Sequence, residues 1–551
     1  MEKATGTGSL CGSTRGARGA LCRAVALAAA LGTAGLCTEA LAAPSHVRVS
    51  FVGPTHTTFG VTWNTTAAGQ SLVEYGLSPG SYGPAVSGSS FVANGALGIV
   101  HEVVLTGLAP STTYYYRAGN PADGWSNEYS FRTGPTPHAE CGTFRFAYLG
   151  DNRPDPIFGG GENYAEILSQ AMTHAPAFVL NGGDLVVDGD AIDQWQNYLT
   201  YNDDAAAFVP SMASLGNHDT GPGQGDGANY NQLFALPRST GPNGTDTEDY
   251  YFFRYGNAIF VALSTETYKD GQPAFAKQAA WLDEVLTQNP ARWKIVYLHK
   301  PIYTHEVWFS ISHPPNEEGQ NAALVPVFDA HHVDVVLASH NHWYERYAPS
   351  ACATQGDPGS NDACPVGDPA AGTVYYVSGG AGAFTIPGLL CGSATGRETC
   401  SGDHHYLVFD VADEKLDIAT WGAYPQQNQV FDLYSITKPA VDCTGVGGSG
   451  AGGAGAGGPG GSSAGGSGTG ATGAGGSGTG ATGTGGGGTG ATGTGGSGTG
   501  AGTAGASASP DPTAESGCGC RVAARGTHPG ALLSLLALLG LVARRRQRAL
   551  T

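Results

Sequence analysis

Charge is what this sequence has least of. Asp, Glu, Lys and Arg make up 13% of its 551 residues, about half of the ~25% usual in globular proteins. Positive charge is scarcer still, with 26 Lys and Arg against 45 Asp and Glu, and much of it gathers at the two ends. Residues 1–42 hold 4 basic and 2 acidic side chains, and residues 516–551 hold 6 basic and none acidic. Between them stand 16 basic and 43 acidic residues, a net of −27. A body that acidic repels polyanions, which excludes nucleic-acid binding driven by phosphate contacts. Long apolar runs are also missing: Ala24–Leu36 and Gly530–Ala543 both fall short of the ~20 residues that a comfortable helical span of a bilayer needs. Residues 444–510 carry no charge and almost no large apolar side chain. Such a segment cannot offset its ordering entropy by burial, which excludes a folded domain and leaves a disordered tether.

What is abundant is Gly. The chain has 88, of which 27 lie between 451 and 500, where ATGAGGSGTG, ATGTGGGGTG and ATGTGGSGTG repeat. The ends read as addresses. Arg15, Arg18 and Arg23 precede the apolar run Ala24–Leu36, and Ala40-Leu41-Ala42 is a small-x-small cleavage site, so residues 1–42 read as a secretory signal peptide. Its removal leaves Cys141, Cys352, Cys364, Cys391, Cys400 and Cys443 in the body. An even set in an exported chain implies disulfides. Many pairings are open; short local loops favour Cys352–Cys364 and Cys391–Cys400, which leaves Cys141 for Cys443. After the linker at 444–515, residues 516–551 run Cys518-Gly519-Cys520, the short apolar stretch, then Arg544-Arg545-Arg546-Gln547-Arg548. This order resembles the MYXO-CTERM class of sorting tails of myxobacterial surface proteins. The resemblance implies a sorting protease acting near Cys518 or Cys520, membrane attachment through the C-terminal tail, and a final place on the outer surface or outside the cell. A plain transmembrane anchor stopped by the Arg cluster is the alternative.

Residues 45–134 read as short strands. Val47–Phe51 and Phe59–Trp63 alternate apolar and polar positions, and Leu72–Tyr75, Glu102–Leu105, Tyr114–Arg117 and Tyr129–Arg132 continue the pattern between turn residues. Leu108–Tyr114 looks like a tyrosine-corner segment. About seven strands in ~90 residues indicate an all-β sandwich of fibronectin type III style, with Trp63 in its core.

Residues 140–438 change character. Phe144–Leu149 is a buried-strand pattern ending at Gly150-Asp151, a helical stretch follows from Asn163 to Thr173, and Ala177–Asn181 is a second strand ending at Gly182-Gly183-Asp184. Strand–helix–strand is the α/β signature, and sites form where such strands end. Ala213-Ser214-Leu215 leads to Gly216-Asn217-His218-Asp219, Trp293–Leu298 to His299, and Asp334–Ala338 to Ser339-His340-Asn341-His342. Carboxylates, a carboxamide and imidazoles after five strands suit Fe, Zn or Mn. One shared Asp can hold two such ions about 3.5–4 Å apart, the spacing that clamps a phosphoryl group.

The blocks GDN, GGD, GNHD, LH and SHNH resemble those of the calcineurin-like metallophosphoesterases. More narrowly, His340-Asn341-His342-Trp343-Tyr344-Glu345-Arg346 and the late strand Gly372–Gly380 resemble the purple acid phosphatases, which also carry a sandwich before an α/β metallophosphoesterase sandwich. The resemblance implies that Asp151 and His342 bind a first metal, that Asp184 bridges, and that Asn217, His299 and His340 bind a second. It implies an acid phosphatase that hydrolyses small phosphomonoesters by attack of a metal-activated hydroxide. His218 would act as the acid, with Asp219 orienting it, while Glu345 and Arg346 would brace the last ligand loop. Two positions depart from the pattern. Arg153 stands where many relatives have His, and Val187 stands where purple acid phosphatases have the Tyr that gives Fe(III) its colour. A protein that is not purple, with a weakened first site, is therefore expected. Arg153 could grip a substrate phosphate or pair with Asp155 or another acid nearby, and His305 and His313 could meet substrate. A phosphodiesterase or nucleotide hydrolase of the same fold is the alternative function, and a surface binding protein with a weakened site is the alternative from another class.

Overall fold

Strands dominate the first module because its β-branched and aromatic residues alternate with polar ones and must bury one face. In the computed structural model, which describes residues 43–153, 161–223, 225–266, 275–306, 312–424 and 428–444, this module is a two-sheet sandwich. One sheet runs in the order Ser45–Ser50, Phe59–Thr65, Ile99–Leu105, Ser89–Val92. The other runs Val86–Ser87, Leu72–Gly76, Thr113–Asn120, Gly124–Trp125, with Tyr129–Arg132 also paired to Thr113–Asn120. Trp63 is fully buried and stacks on His101 with ring centroids 5.0 Å apart. The Tyr114 hydroxyl accepts from the Ala109 N–H at 2.9 Å, which closes the expected tyrosine corner.

The sandwich is not a loose appendage. Arg48 Nε donates to the Leu233 carbonyl at 2.7 Å, and the Tyr116 hydroxyl donates to the Ala207 carbonyl at 2.7 Å. Phe51 meets Phe178 and Phe253 at 5.8 and 5.5 Å between centroids. One continuous hydrophobic core thus joins the two modules.

The second module is an α/β sandwich of two sheets. The first has six strands in the order Ser211–Ala213, Val179–Asn181, Phe144–Leu149, His404–Val411, Lys415–Tyr424, Gln429–Thr437. Its first three strands are parallel, and His404–Val411 pairs antiparallel to Phe144–Leu149. The second has seven, in the order Tyr251–Tyr255, Ala258–Ala262, Trp293–Tyr297, Val335–Ala338, Thr373–Ser378, Tyr344–Ser350, Arg397–Ser401. Its parallel core runs from Ala258–Ala262 through Thr373–Ser378. An aromatic layer seals the sheets: Phe146 and Phe178 each meet Phe260 edge-on at 5.0 Å. The helices Gly161–Met172, Ile192–Ala206, Phe275–Gln288 and Gln320–Ala330 accompany the strands.

The disulfides are Cys352–Cys364, Cys391–Cys400 and Cys141–Cys443, the last closing a loop of 302 residues that ties the start of the second module to its end. The expected signal peptide at 1–42, the linker beyond Thr444 and the sorting segment at 516–551 lie outside the described residues. Among the described residues no helix is long and apolar enough to cross a membrane.

Candidate metal centre

The parallel strands of both sheets end at one place, and the six expected ligands sit in the loops just beyond them. Asp151 follows Phe144–Leu149, Asp184 follows Val179–Asn181, and Asn217 follows Ser211–Ala213. His299 follows Trp293–Tyr297, while His340 and His342 follow Val335–Ala338. The loops approach so closely that a Cβ on Gly150 or Gly182 would collide with Ser339 Oγ. Asp151, Asp184 and His340 hold φ at 55°, 56° and 68°, a left-handed conformation that side chains with a Cβ rarely adopt.

Asp184 is the hub. Its Oδ1 lies 3.2 Å from His299 Nε2, and that nitrogen lies 3.0 Å from Asn217 Oδ1 and 3.1 Å from His340 Nδ1. Four donor atoms therefore converge on one side of Asp184. On the other side, His342 Nε2 lies 3.3 Å from Asp151 Oδ1, and Asp151, Asp184 and His342 offer atoms within 4.8 Å of one another.

The histidines show what this arrangement fits. His299 Nδ1 donates to the Gly182 carbonyl and His342 Nδ1 to the Phe384 carbonyl, each at 2.8 Å. Their Nε2 lone pairs are thereby aimed inward, as outer partners do for metal-ligating imidazoles. His340 turns Nδ1 inward and Nε2 toward Glu317 Oε1, 3.7 Å away. Asp151 Oδ1 is buried without a hydrogen-bond donor. Lone pairs facing lone pairs at 3.0–3.3 Å call for a positive charge between them, and two buried carboxylates call for it further. The donor set fits a pair of cations sharing Asp184. Proton affinities show the same demand. Burial opposes charge on His299, yet Asp184 and Asp151 push it up to about 10. Burial would raise Asp184, but His299, His218 and Arg153 hold it well below the usual carboxylate range.

His218 stands at the edge of this cluster, with its side chain 32% exposed and Nε2 3.9 Å from Asp184 Oδ2. Its Nδ1 donates to the Val187 carbonyl at 2.5 Å. Val187 thus offers its backbone oxygen to His218 where the expected pattern has a tyrosine side chain.

The structure corrects the role expected for Asp219. It does not orient His218. Its buried carboxylate accepts four backbone N–H bonds, from Asp184 and Gly216 on Oδ2 and from Leu185 and Val186 on Oδ1, at 2.7–3.2 Å. Asp219 therefore ties two ligand loops together. Asp155, one partner expected for Arg153, lies outside the described residues; the acid beside Arg153 among the described residues is Asp184. Arg153 Nε lies 3.2 Å from Asp184 Oδ2, and its Nη2 donates to His342 Nε2 at 3.4 Å.

Of the two loop histidines, His305 makes packing contacts. Its ring stacks on Trp343 and lies against Gly392, and its N–H reaches Glu345. His313 is half-exposed, with its ring 3.7 Å from that of His340 and Nδ1 3.3 Å from Glu317. Glu345 is fully buried and accepts from Thr304, His305 and Arg397, while Arg346 pairs with Asp432 and Glu398; both are scaffold. Glu317, behind His340, is the functional residue that the sequence blocks miss. The only local signal for it is the His313–Glu317 spacing of one helical turn.

Comparison with known proteins agrees with this geometry. The profile for the purple acid phosphatase N-terminal domain matches residues 44–133, and that for calcineurin-like phosphoesterases matches residues 144–344. Purple acid phosphatase 23 of Arabidopsis thaliana is 29% identical over 317 residues, covering 50% of this chain and 66% of the relative. Acid phosphatase type 7 of Homo sapiens is 28% identical over 349 residues, covering 60% of this chain and 76% of the relative. The chain therefore spans about two thirds to three quarters of the length of these relatives. In fold it is similar to a purple acid phosphatase from yellow lupin (Lupinus luteus) seeds, with a TM-score of 0.59 and 20% identity over 72% of this chain and 74% of that one. It is also similar in fold to PhoD, with a TM-score of 0.52 and 15% identity over 73% of this chain and 93% of that one.

Proposed function

The chain is a calcineurin-like metallophosphoesterase carrying a purple acid phosphatase N-terminal domain, and from that premise we propose that it hydrolyses phosphomonoesters at the centre around Asp184. Asp184, Asn217, His299 and His340 would hold one cation, and Asp151 and His342 offer donors on the far side of Asp184. Fe, Zn or Mn suits these donors. A bound cation supplies Lewis acidity toward a phosphoryl oxygen and toward the attacking water.

The single observation that carries the reading is the placement of His218. With Nδ1–H engaged by the Val187 carbonyl, a second proton on the ring must reside on Nε2, which faces the cluster. That proton is the one a leaving alkoxide can take. Asp219 and the outer partners of the histidines keep the ligand loops from drifting during the reaction.

The purified protein, reconstituted with Mn, Zn or Fe, is assayed with p-nitrophenyl phosphate and bis-p-nitrophenyl phosphate. Monoester turnover that falls ~10²–10⁴-fold in His218→Ala, with metal content unchanged, supports the reading. A preference for the diester would replace it with phosphodiester hydrolysis, and no turnover with any metal would leave a binding protein. With Val187 in place of a tyrosine, the Fe-loaded protein is expected to lack the purple phenolate colour.

Export and surface attachment belong to the same proposal. The Arg-led apolar leader, the acidic body and the Cys518–Arg548 tail support it, as do three disulfides, which form in oxidising compartments. Mass spectrometry of the mature protein tests it: an N-terminus near Ala43 and processing near Cys518 are expected, and an intact leader would refute it.

A further inference from the structure

Arg153 lies beside the donors of the first cation, and two of its contacts, to Asp184 Oδ2 and to His342 Nε2, are contacts that cation would need. His342 Nδ1–H is engaged by the Phe384 carbonyl, so the only free lone pair of that ring is on Nε2. The guanidinium Nη2 donates into it at 3.4 Å. Asp184 divides its oxygens in the same way. Oδ1 faces His299 and the second set of donors, whereas Oδ2 faces Arg153 Nε at 3.2 Å. The Arg153 side chain is only 14% exposed, and its backbone N–H donates to the Asp184 carbonyl at 3.0 Å. Its backbone is therefore hydrogen-bonded, and its side chain ion-paired, to Asp184. Val187 supplies no side-chain ligand to compete with it.

We propose that the Arg153 guanidinium is a built-in cation that takes the place of the first metal ion, so that the chain holds one resident ion, among Asp184, Asn217, His299 and His340. This rests on the metal-dependent reading above. A guanidinium in this place sets positive charge where a dication would sit, and like charges at that range repel. It is planar and rich in donors, and it binds both carboxylates and phosphates well. In this place it neutralises Asp184, uses the lone pair of His342, and can still present N–H groups to an anionic phosphoryl oxygen. The positive charge that a second metal would lend the site is thus encoded in the sequence.

The test counts ions and measures whether they are neighbours. Wild type, Arg153→Gln and Arg153→His are stripped with chelator, loaded with Mn(II) and desalted. Elemental analysis then gives ions per chain, and electron paramagnetic resonance distinguishes an isolated Mn(II) from an exchange-coupled pair. Circular dichroism identifies any variant that fails to fold. The expected result is one ion with an isolated signal in wild type, and two ions with a coupled signal in at least one folded variant. Two coupled ions in wild type would overturn the proposal whatever the variants do. A single ion in wild type and in both variants would overturn it too, because the guanidinium would then not be what excludes the second. If neither wild type nor variants retain an ion, the metal-dependent reading itself falls, and this proposal with it.

Discussion

Glu317 offers the sharpest check on how the ligand set is held. Its Oε1 lies 3.7 Å from His340 Nε2 and 3.3 Å from His313 Nδ1, and its Oε2 lies 3.3 Å from Lys300 Nζ. Among the described residues His340 Nε2 has no hydrogen-bond partner that would replace it. Burial would raise the Glu317 carboxyl, but the neighbouring His313, His340 and Lys300 side chains hold it below the usual carboxylate range. Removing the outer carboxylate of a ligating imidazole typically weakens metal binding ~10–100-fold, or about 1.4–2.7 kcal/mol. Glu317→Ala should show this loss in titration calorimetry with Mn or Zn. The same loss should appear as stability. At free metal ~1,000 times the wild-type Kd, binding stabilises the fold by about 4.1 kcal/mol. With Kd a hundredfold weaker, the same metal adds only about 1.4 kcal/mol. The variant should therefore trail wild type by about 2.7 kcal/mol in urea with metal and by much less in chelator. Glu318→Ala is the control, since that side chain is 44% exposed and meets Lys300 at 3.7 Å. An affinity in Glu317→Ala within about threefold of wild type, well under the range for such partners, would refute the reasoning. So would an equal loss in Glu318→Ala.

Two further outcomes follow from loop length and burial. Replacing Cys141 and Cys443 by Ser opens a loop of 302 residues, against 12 and 9 for the other two disulfides. Chain entropy then assigns it about 5–6 kcal/mol and the local bridges about 2.5–3 kcal/mol each, an order that urea unfolding checks and that equal losses would contradict. Glu248 lies in a groove between the two modules, lined also by Glu102, Asp226 and Arg238. Burial, aided by Glu102 and Asp226 and opposed by Arg238, pushes its carboxyl up to about 8 from 4.5. A carboxyl raised in the folded state contributes stability that is full below the unfolded pKa and is lost as pH rises through the folded one. Glu248→Gln should therefore melt higher than wild type at about pH 9 and show little gain at about pH 4.5; a gain that does not vary with pH would refute this.

The convergence of the candidate ligands was legible because each of them follows its strand in the chain. A run such as Phe144–Leu149 announces where the backbone stops pairing, and the next polar residue is Asp151. The tyrosine corner and the two short disulfide loops were equally local. Asp219 shows the limit of that logic. It adjoins His218 in sequence, but the turn closed by its N–H on the Gly216 carbonyl at 3.1 Å sends the two side chains apart. One goes to the Val187 carbonyl and the other into a nest of N–H groups. The helix Ile192–Ala206 was also missed, since Asn, Thr and Asp fill much of it and favour other conformations. Its buried stripe of Trp195, Tyr198, Leu199 and Asn202 has helical spacing, and that period was the available signal. Gln320–Ala330 was hidden by Pro326 within it, a residue that ordinarily argues against a helix.

The backbone adds a last step that no side-chain pattern carries. Asp151, Asp184 and His340 are all left-handed, at about 1–2 kcal/mol each for a residue with a Cβ. The three are cross-tied. The Asp151 N–H donates to the Gly183 carbonyl, the His340 N–H to Asp151 Oδ2, and the Asp184 N–H to Asp219 Oδ2, at 2.7–3.1 Å. Such strain persists only where the surroundings over-determine it. It falls on the residues whose lone pairs also crowd one another, so one loop region carries both unfavourable terms. A fold selected for stability alone would relax them separately. Keeping them together makes sense if a positive charge at the centre offsets both at once. The backbone strain is then part of how the ligands are pre-positioned, and the ordering has already been done when the ion and the phosphate arrive.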